Sequence, residues 1–210
     1  MPSLGLTTSE AGYVLERSSL AINKAVDTGL IRAGTRQGPG GQGTLRILGK
    51  PELRFLKLAD VLDKDLTPFG QRKIYEAIRR LPEQQHQLRL GVLTVELLPV
   101  DRAIEERLVR LMALKNHVET QASGEPVIRG TTVPVHVVAG LAKGETVDEI
   151  MEDYPSLTRA QVETAIEYAR AYPKKGRPYP ARSFKRMVAD LGLEEITTDR
   201  TREGPRLIDS

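Results

Sequence analysis

Apolar residues recur at helical spacing in short blocks, each opened by a capping residue and closed by glycine or proline. Thr7-Thr8-Ser9-Glu10 sets a threonine three residues before a glutamate, the reciprocal capping-box pattern, and Ala11, Val14 and Leu15 follow on one face. Glu16-Arg17 is a short connection. Ser18 or Ser19 caps a second helix whose stripe is Ile22, Ala25 and Val26, and Gly29 stops it. Leu30-Ile31 then returns to the core. Two helices this short bury little alone, which suits a helix-turn-helix.

The period then changes. Thr44-Leu45-Arg46-Ile47-Leu48 alternates as a strand does, and before it stands a glycine-rich tip, Gly38 to Gly43, flanked by Arg32, Arg36 and Arg46. The tip matches G-x-G-x-x-G, but a dinucleotide fingerprint requires a strand before it and a helix opening at it. Here a strand follows, and no Gly-Lys-Ser/Thr is present. The pattern predicts a β-wing whose bare backbone and arginines lie along phosphates.

Pro51-Glu52 opens a helix with Leu53, Leu56, Leu58, Val61 and Leu62. Thr67-Pro68 opens another, with Phe69, Ile74, Ala77, Ile78 and Leu81 expected inward. Leu88 to Leu98 reads as one strand. Pro99-Val100-Asp101 starts a helix with Ile104, Leu108, Leu111, Met112 and Leu114, either a dimer seam or a plain core helix. Beyond it, an extended segment from Gly124 to Val135 precedes three short helices. The first runs from His136 to Lys143; Thr146/Glu149 and Thr158/Gln161 are capping boxes for the other two. The expected fold is mainly α: an N-terminal winged helix-turn-helix, a C-terminal homeodomain-like trihelical domain, and an extended tail. The division is 1–66 for the winged domain, 67–117 for connecting elements, 118–172 for the trihelical domain and 173–210 for linker and tail.

Composition narrows the chemistry. The 210 residues include no cysteine and three histidines, His86, His117 and His136, set far apart, so no Cys-ligated metal or thiol nucleophile is available. Aromatic residues make up 4%, too few for base-stacking platforms. Asp148, Glu149, Glu152 and Asp153 read as first-turn helix acids and surface carboxylates rather than a metal site. No enzyme activity, cofactor or metal is expected. No apolar run reaches bilayer length, and no leader-like start is seen, so a cytoplasmic protein without membrane contact is expected.

The net charge of +3 conceals segregation. Residues 1–50 carry +3, residues 118–172 carry −5, and residues 174–186 hold six basic side chains and no acidic one. A polyanion prefers the N-terminal segment or the basic run. The predicted DNA-contacting residues are Ser18, Ser19, Asn23 and Lys24 on the second helix, with Arg32, Arg36 and Arg46 on the wing. After the linker Pro173–Pro180, Phe184, Met187, Val188 and Leu191 form a short apolar stripe. A helix so short is marginal alone and is ordered either by a partner or by docking on its own chain.

Two resemblances add to this. Leu6 through Ile31 resembles the start of the MerR/excisionase winged-helix group, carried by Glu10, Ser18, Ile22, Gly29, Leu30 and Ile31. It departs at Glu16-Arg17, where the group's turn usually contains a glycine. The block 118–172 resembles domain-of-unknown-function family 433. Its residues are Gly124, Pro126, Ile128, Gly130 and Thr131, then Gly144, Glu145, Thr146, Glu149 and Ile150, then Tyr154, Pro155, Leu157 and Thr158. Thr132 stands where that family usually has arginine. The second resemblance implies a VapB-type antitoxin: a homodimer that represses its own operon by binding operator DNA and neutralises a PIN-like ribonuclease toxin. In that picture the toxin-binding residues are Phe184, Met187, Val188 and Leu191 with Arg200, Arg202 and Arg206, the arginines reaching the toxin's acidic metal site. The alternative is a transcription regulator with no toxin partner.

Overall fold

A computed structural model describes residues 5–38, 41, 43–62, 66–174 and 176–190. The chain is mainly helical with small antiparallel sheets, in the order β1 (Leu6–Thr7), α1 (Thr8–Leu15), α2 (Ser19–Asp27), β2 (Gly34–Gln37), β3 (Thr44–Leu48), α3 (Lys50–Leu62), α4 (Pro68–Arg80), β4 (Gln87–Leu90), β5 (Leu93–Glu96) and α5 (Leu98–Asn116). There follow β6 (Val118–Thr120), β7 (Pro126–Ile128), α6 (Val135–Leu141), α7 (Val147–Asp153), α8 (Arg159–Ala171) and α9 (Phe184–Asp190).

These elements form two compact units. The first holds the described residues up to Val118 together with Glu167–Pro173; the second holds Glu119–Ile166 and the described residues from Lys174. This differs from the four-part division. The elements over 67–117 share one core with those before them: Ile74, Ile78, Ile104 and Leu111 cluster with Val14, Ile22 and Leu56. Ala171, at the end of α8, is fully buried in the same cluster, so the last turns of α8 count with the first unit.

In the first unit local signals set the helix ends. Thr7 and Glu10 form the predicted capping box at α1, and the Ser18 side chain accepts the Ala21 N–H at α2. Thr67 caps α4 with Pro68 in its first turn. Capping of this kind contributes about 1 kcal/mol each. The turn between α1 and α2 uses Glu16 in the left-handed region, at φ 59°. No glycine supplies that conformation; Glu16 caps α1 with its backbone N–H directed at the Gly12 and Tyr13 carbonyls, and its carboxylate lies 3.8 Å from Lys57 and 4.0 Å from Arg107. Arg17, beside it, pairs with Asp60 of α3. Gly12 matters for a different reason: a Cβ there would meet the Arg17 carbonyl oxygen at 2.7 Å, so the turn folds directly onto bare helix.

The sheet order is β1-β3-β2, with Leu6 opposite Leu48, Thr35 opposite Arg46 and Arg36 opposite Leu45. Two sequence expectations are corrected. Leu88 to Leu98 is a hairpin, β4 and β5, followed by the first residue of α5, because Gly91 turns the chain at φ 63° inside the apolar run. Phe69 is 67% exposed, its ring lying under the Lys73 ammonium at 4.7 Å, while Tyr75 takes the inward place.

A buried ion network joins α3, α5 and the connector ahead of β4. Arg54 and Asp101 are each 2% exposed and meet through two hydrogen bonds of 2.7 Å. His86 Nδ1 lies 2.6 Å from Asp101 Oδ2, and Arg54 also donates to the Glu83 carbonyl at 3.0 Å. Burial alone raises the Asp101 pKa, but the hydrogen bonds from Arg54 and His86 and the charges of Arg54 and Lys50 carry it below the ordinary value.

In the second unit, Thr146/Glu149 and Thr158/Gln161 bond reciprocally as capping boxes, as predicted. Val135, Val138, Ile150 and Val162 are fully buried. Among the described residues, no helix is long and apolar enough to cross a membrane.

Candidate nucleic-acid interface

The feature of the first unit that bears on chemistry is the hairpin β2–β3 beside α2. Both feet of this hairpin are pinned to one buried pair. The Arg32 backbone N–H, just ahead of β2, donates to the Tyr75 hydroxyl at 2.8 Å. That hydroxyl donates to Glu52 Oε1 at 2.8 Å. Glu52 Oε2 accepts the Gly49 N–H, just after β3, at 2.9 Å. Burial, with the Glu52 carboxylate beside it, pushes the Tyr75 hydroxyl up to about 12 against the opposing pull of the Arg32 N–H. It therefore stays protonated and keeps its donor role. Glu52 and Tyr75 were not singled out in the sequence; an acid in the first turn of α3 reads as a helix-dipole residue.

Arg46 ties the hairpin to α2. Its guanidinium donates to Asn23 Oδ1 at 3.1 Å and pairs with Asp27 Oδ1 at 2.6 Å. Arg46 is thus charge-compensated and ties the hairpin to α2, and the Asn23 side-chain carbonyl oxygen is engaged. The Asn23 amide NH2 retains its two donors. Arg32 pairs with Glu76 at 3.0 Å and is still 68% exposed.

Arg36 is different. Opposed residues of an antiparallel pair share a face and neighbours alternate. Because Thr35 opposes Arg46 and Arg36 opposes Leu45, Arg36 and Arg46 project from opposite faces of the sheet. Arg36 is exposed, and with Thr7, Glu10, Gln37 and Tyr172 it lines an open cleft of about 370 Å³. Its charge is not met by any ion pair among the described residues. At the tip, Gly38 N–H donates to the Gly43 carbonyl at 3.0 Å, while Pro39, Gly40 and Gln42 lie outside the described residues.

On α2, Lys24 and Ser18 are exposed, Ser18 being spent as the cap, and Ser19 and Asn23 are half-buried. Leu20 is 78% exposed, an apolar side chain on the outward face that the sequence reading passed over. Its signal was available: Leu20 falls outside the Ile22, Ala25, Val26 stripe.

The tail residues divide. Met187 is 41% exposed and Val188 half-buried on α9; the Phe184 backbone begins that helix. Leu191, Arg200, Arg202 and Arg206 lie outside the described residues. Among the described residues, no group of three or more His, Asp or Glu side chains is placed to hold a metal ion.

Comparison with known proteins bears on the second unit and on a part of the chain. Residues 118–169 match the family described as "Protein of unknown function (DUF433)". A curated relative, "Uncharacterized protein y4eO" of Sinorhizobium fredii (strain NBRC 101917 / NGR234), is 40% identical over 89 residues. The matched stretch covers 40% of this chain and 40% of that protein. No solved structure matches. The region 118–169 is thus similar to DUF433 proteins, and it is there that the comparison places the chain.

Proposed function

We propose that the chain is a DNA-binding antitoxin. In this reading α1, α2 and the hairpin β2–β3 are a winged helix-turn-helix that grips operator DNA and represses its own operon. The second unit and tail engage a PIN-like ribonuclease toxin, and the protein acts in the cytoplasm as a homodimer. The observation that carries the reading is the double fixation of the hairpin: its feet on Tyr75 and Glu52, its strand on α2 through Arg46. A hairpin held in fixed relation to a short exposed helix meets the requirement of placing base contacts and phosphate contacts together. Lys24 and Leu20 then face the groove, Leu20 suited to a thymine methyl, and Arg36 supplies an uncompensated cation for phosphate. Val109 and Met112 of α5 are 69% and 61% exposed, three residues apart, which supports packing of a second copy along α5.

A second reading, a stand-alone regulator with no toxin, is favoured by one observation: residues 179–186 dock on their own unit. Co-expression with the adjacent reading frame separates the two. A small nuclease-like protein that co-purifies, and whose toxicity this chain suppresses, supports the antitoxin. Operator binding by this chain alone, with no co-purifying neighbour, supports the regulator.

A further inference from the structure

The second unit contains a trough in which the chain's own segment 179–186 lies. Its wall is α6 and the turn after it, where two glycines leave room for a crossing chain. A Cβ on Gly144 would come within 2.6 Å of the Ala181 carbonyl oxygen, and one on Gly140 within 2.9 Å of Tyr179 Cβ. The segment 179–186 lies in this trough as a bound peptide lies in a receptor. At one end the Tyr179 hydroxyl donates to Glu125 Oε1 at 2.5 Å. In the middle the Ser183 N–H donates to Glu145 Oε1 at 2.7 Å and its hydroxyl donates to Asp153. At the other end the Arg186 guanidinium reaches Glu152 at 2.8 Å and Glu149 at 3.2 Å, with Asp153 at 3.7 Å and Glu145 at 4.0 Å.

The resident segment does not saturate the pocket. Four carboxylates, Glu145, Glu149, Glu152 and Asp153, face three cations: Arg186, Lys185 at 3.6 Å from Asp153, and Arg182; the Thr146 hydrogen bonds, and after them the charges of Arg186 and Arg182, hold Glu149 below its ordinary value. The Glu145 and Asp153 side chains are 2% and 7% exposed. Glu145 Oε2 and Asp153 Oδ1 nevertheless accept no hydrogen bond, and Arg186 Nε donates none. Buried charged atoms left without hydrogen bonds are costly, so the resident segment is an imperfect match for the pocket. The segment also reaches the trough through the Pro- and Gly-bearing stretch 173–180, which contains no helix or strand among its described residues. Such a tether holds a ligand by effective concentration rather than by rigid packing.

We propose that the trough beside α6 and α7 is a binding site for basic peptides carrying a Ser-x-x-Arg pattern at a helix start, and that residues 179–186 occupy it in cis. An external peptide of this kind competes with the chain's own segment. This inference does not rest on DNA or toxin binding.

The test uses the full chain and a labelled synthetic peptide with the sequence of residues 177–188, followed by fluorescence anisotropy. The Arg186→Glu chain, whose own segment is repelled from the pocket, binds the peptide at least about tenfold more tightly than the wild-type chain, where the cis segment competes. Arg186→Gln, which removes the charge without adding repulsion, shows the same direction and serves if the first variant does not fold. Adding Glu149→Gln and Glu152→Gln to either background abolishes the gain; glutamine at 149 preserves the capping box. Equal affinity of wild-type and Arg186-substituted chains, or peptide binding that survives loss of the two carboxylates, overturns the proposal.

Discussion

The Tyr75 hydroxyl donates to Glu52 at 2.8 Å, and through that one bond the two ends of the β2–β3 hairpin are joined. Tyr75 accepts from Arg32, two residues before β2; Glu52 accepts from Gly49, the residue after β3. Both side chains are buried, 3% and 8% exposed. Tyr75→Phe leaves a buried carboxylate oxygen and the Arg32 N–H without their partner, at a cost of about 1–3 kcal/mol. Urea denaturation measures it. In the proposed function the same substitution also weakens DNA binding, although Tyr75 touches no DNA.

Glu16 occupies the left-handed region without being glycine. Glu16→Gly removes about 1 kcal/mol of backbone strain. It also removes two solvent-facing ion pairs, worth at most about 1 kcal/mol together, and adds unfolded-state entropy. The expected net change in denaturation midpoint is close to zero. Glu16→Ala keeps the strain and loses the pairs, so it is the less stable of the two variants. A stability order with Glu16→Ala above Glu16→Gly contradicts this account of the turn.

The Arg54–Asp101–His86 cluster sets an acid limit. The Asp101 pKa lies below its ordinary value of 3.8 in the folded chain. Its stabilising contribution is therefore complete above the unfolded pKa and is lost as pH falls through the folded one. Asp101→Asn removes this acid dependence. It also leaves Arg54 buried without its partner, costing about 3–5 kcal/mol at neutral pH. Stability measured by urea denaturation from neutrality to about pH 3 checks both, since the wild-type decline spans the carboxylate range. A variant as stable as wild type at neutral pH contradicts the buried pair's role.

Truncation after Pro180 removes Arg186 and the rest of the tail. The truncated chain is expected to bind operator DNA as the full chain does, because the α2 and hairpin contacts lie within the first unit. It is expected to lose toxin neutralisation in a growth-rescue assay. A truncated chain that still rescues growth removes the tail from the toxin-binding account.

What was legible in the sequence was local. Thr7/Glu10, Thr146/Glu149, Thr158/Gln161 and Thr67-Pro68 announce helix starts because each bond spans three residues, and each forms as read. The hidden parts are long-range. Arg46 reads as a wing arginine, and its partners on α2, 19 and 23 positions away, leave no local signal. Asp101 reads as a helix-start acid, yet its partner Arg54 lies 47 positions earlier. Leu88 to Leu98 reads as one strand because an apolar run masks the turn at Gly91. For the site, residue type and charge pointed to α2 and the hairpin. The division of its arginines into Arg46, which positions, and Arg36, which stays exposed, followed only from the strand register.

In the proposed function the first unit grips DNA with α2 and a hairpin whose arginines have different roles. The most direct measurement is the salt dependence of binding to the chain's own upstream DNA, by anisotropy, for wild type, Arg36→Ala and Arg46→Ala. The account predicts that Arg36→Ala reduces the slope of log affinity against log salt by about 0.9, one phosphate contact. Arg46→Ala lowers affinity with the slope unchanged, because it loosens the hairpin rather than removing a phosphate contact. Failure of the wild-type chain to bind this DNA at low salt, or identical slopes for wild type and Arg36→Ala, contradicts it.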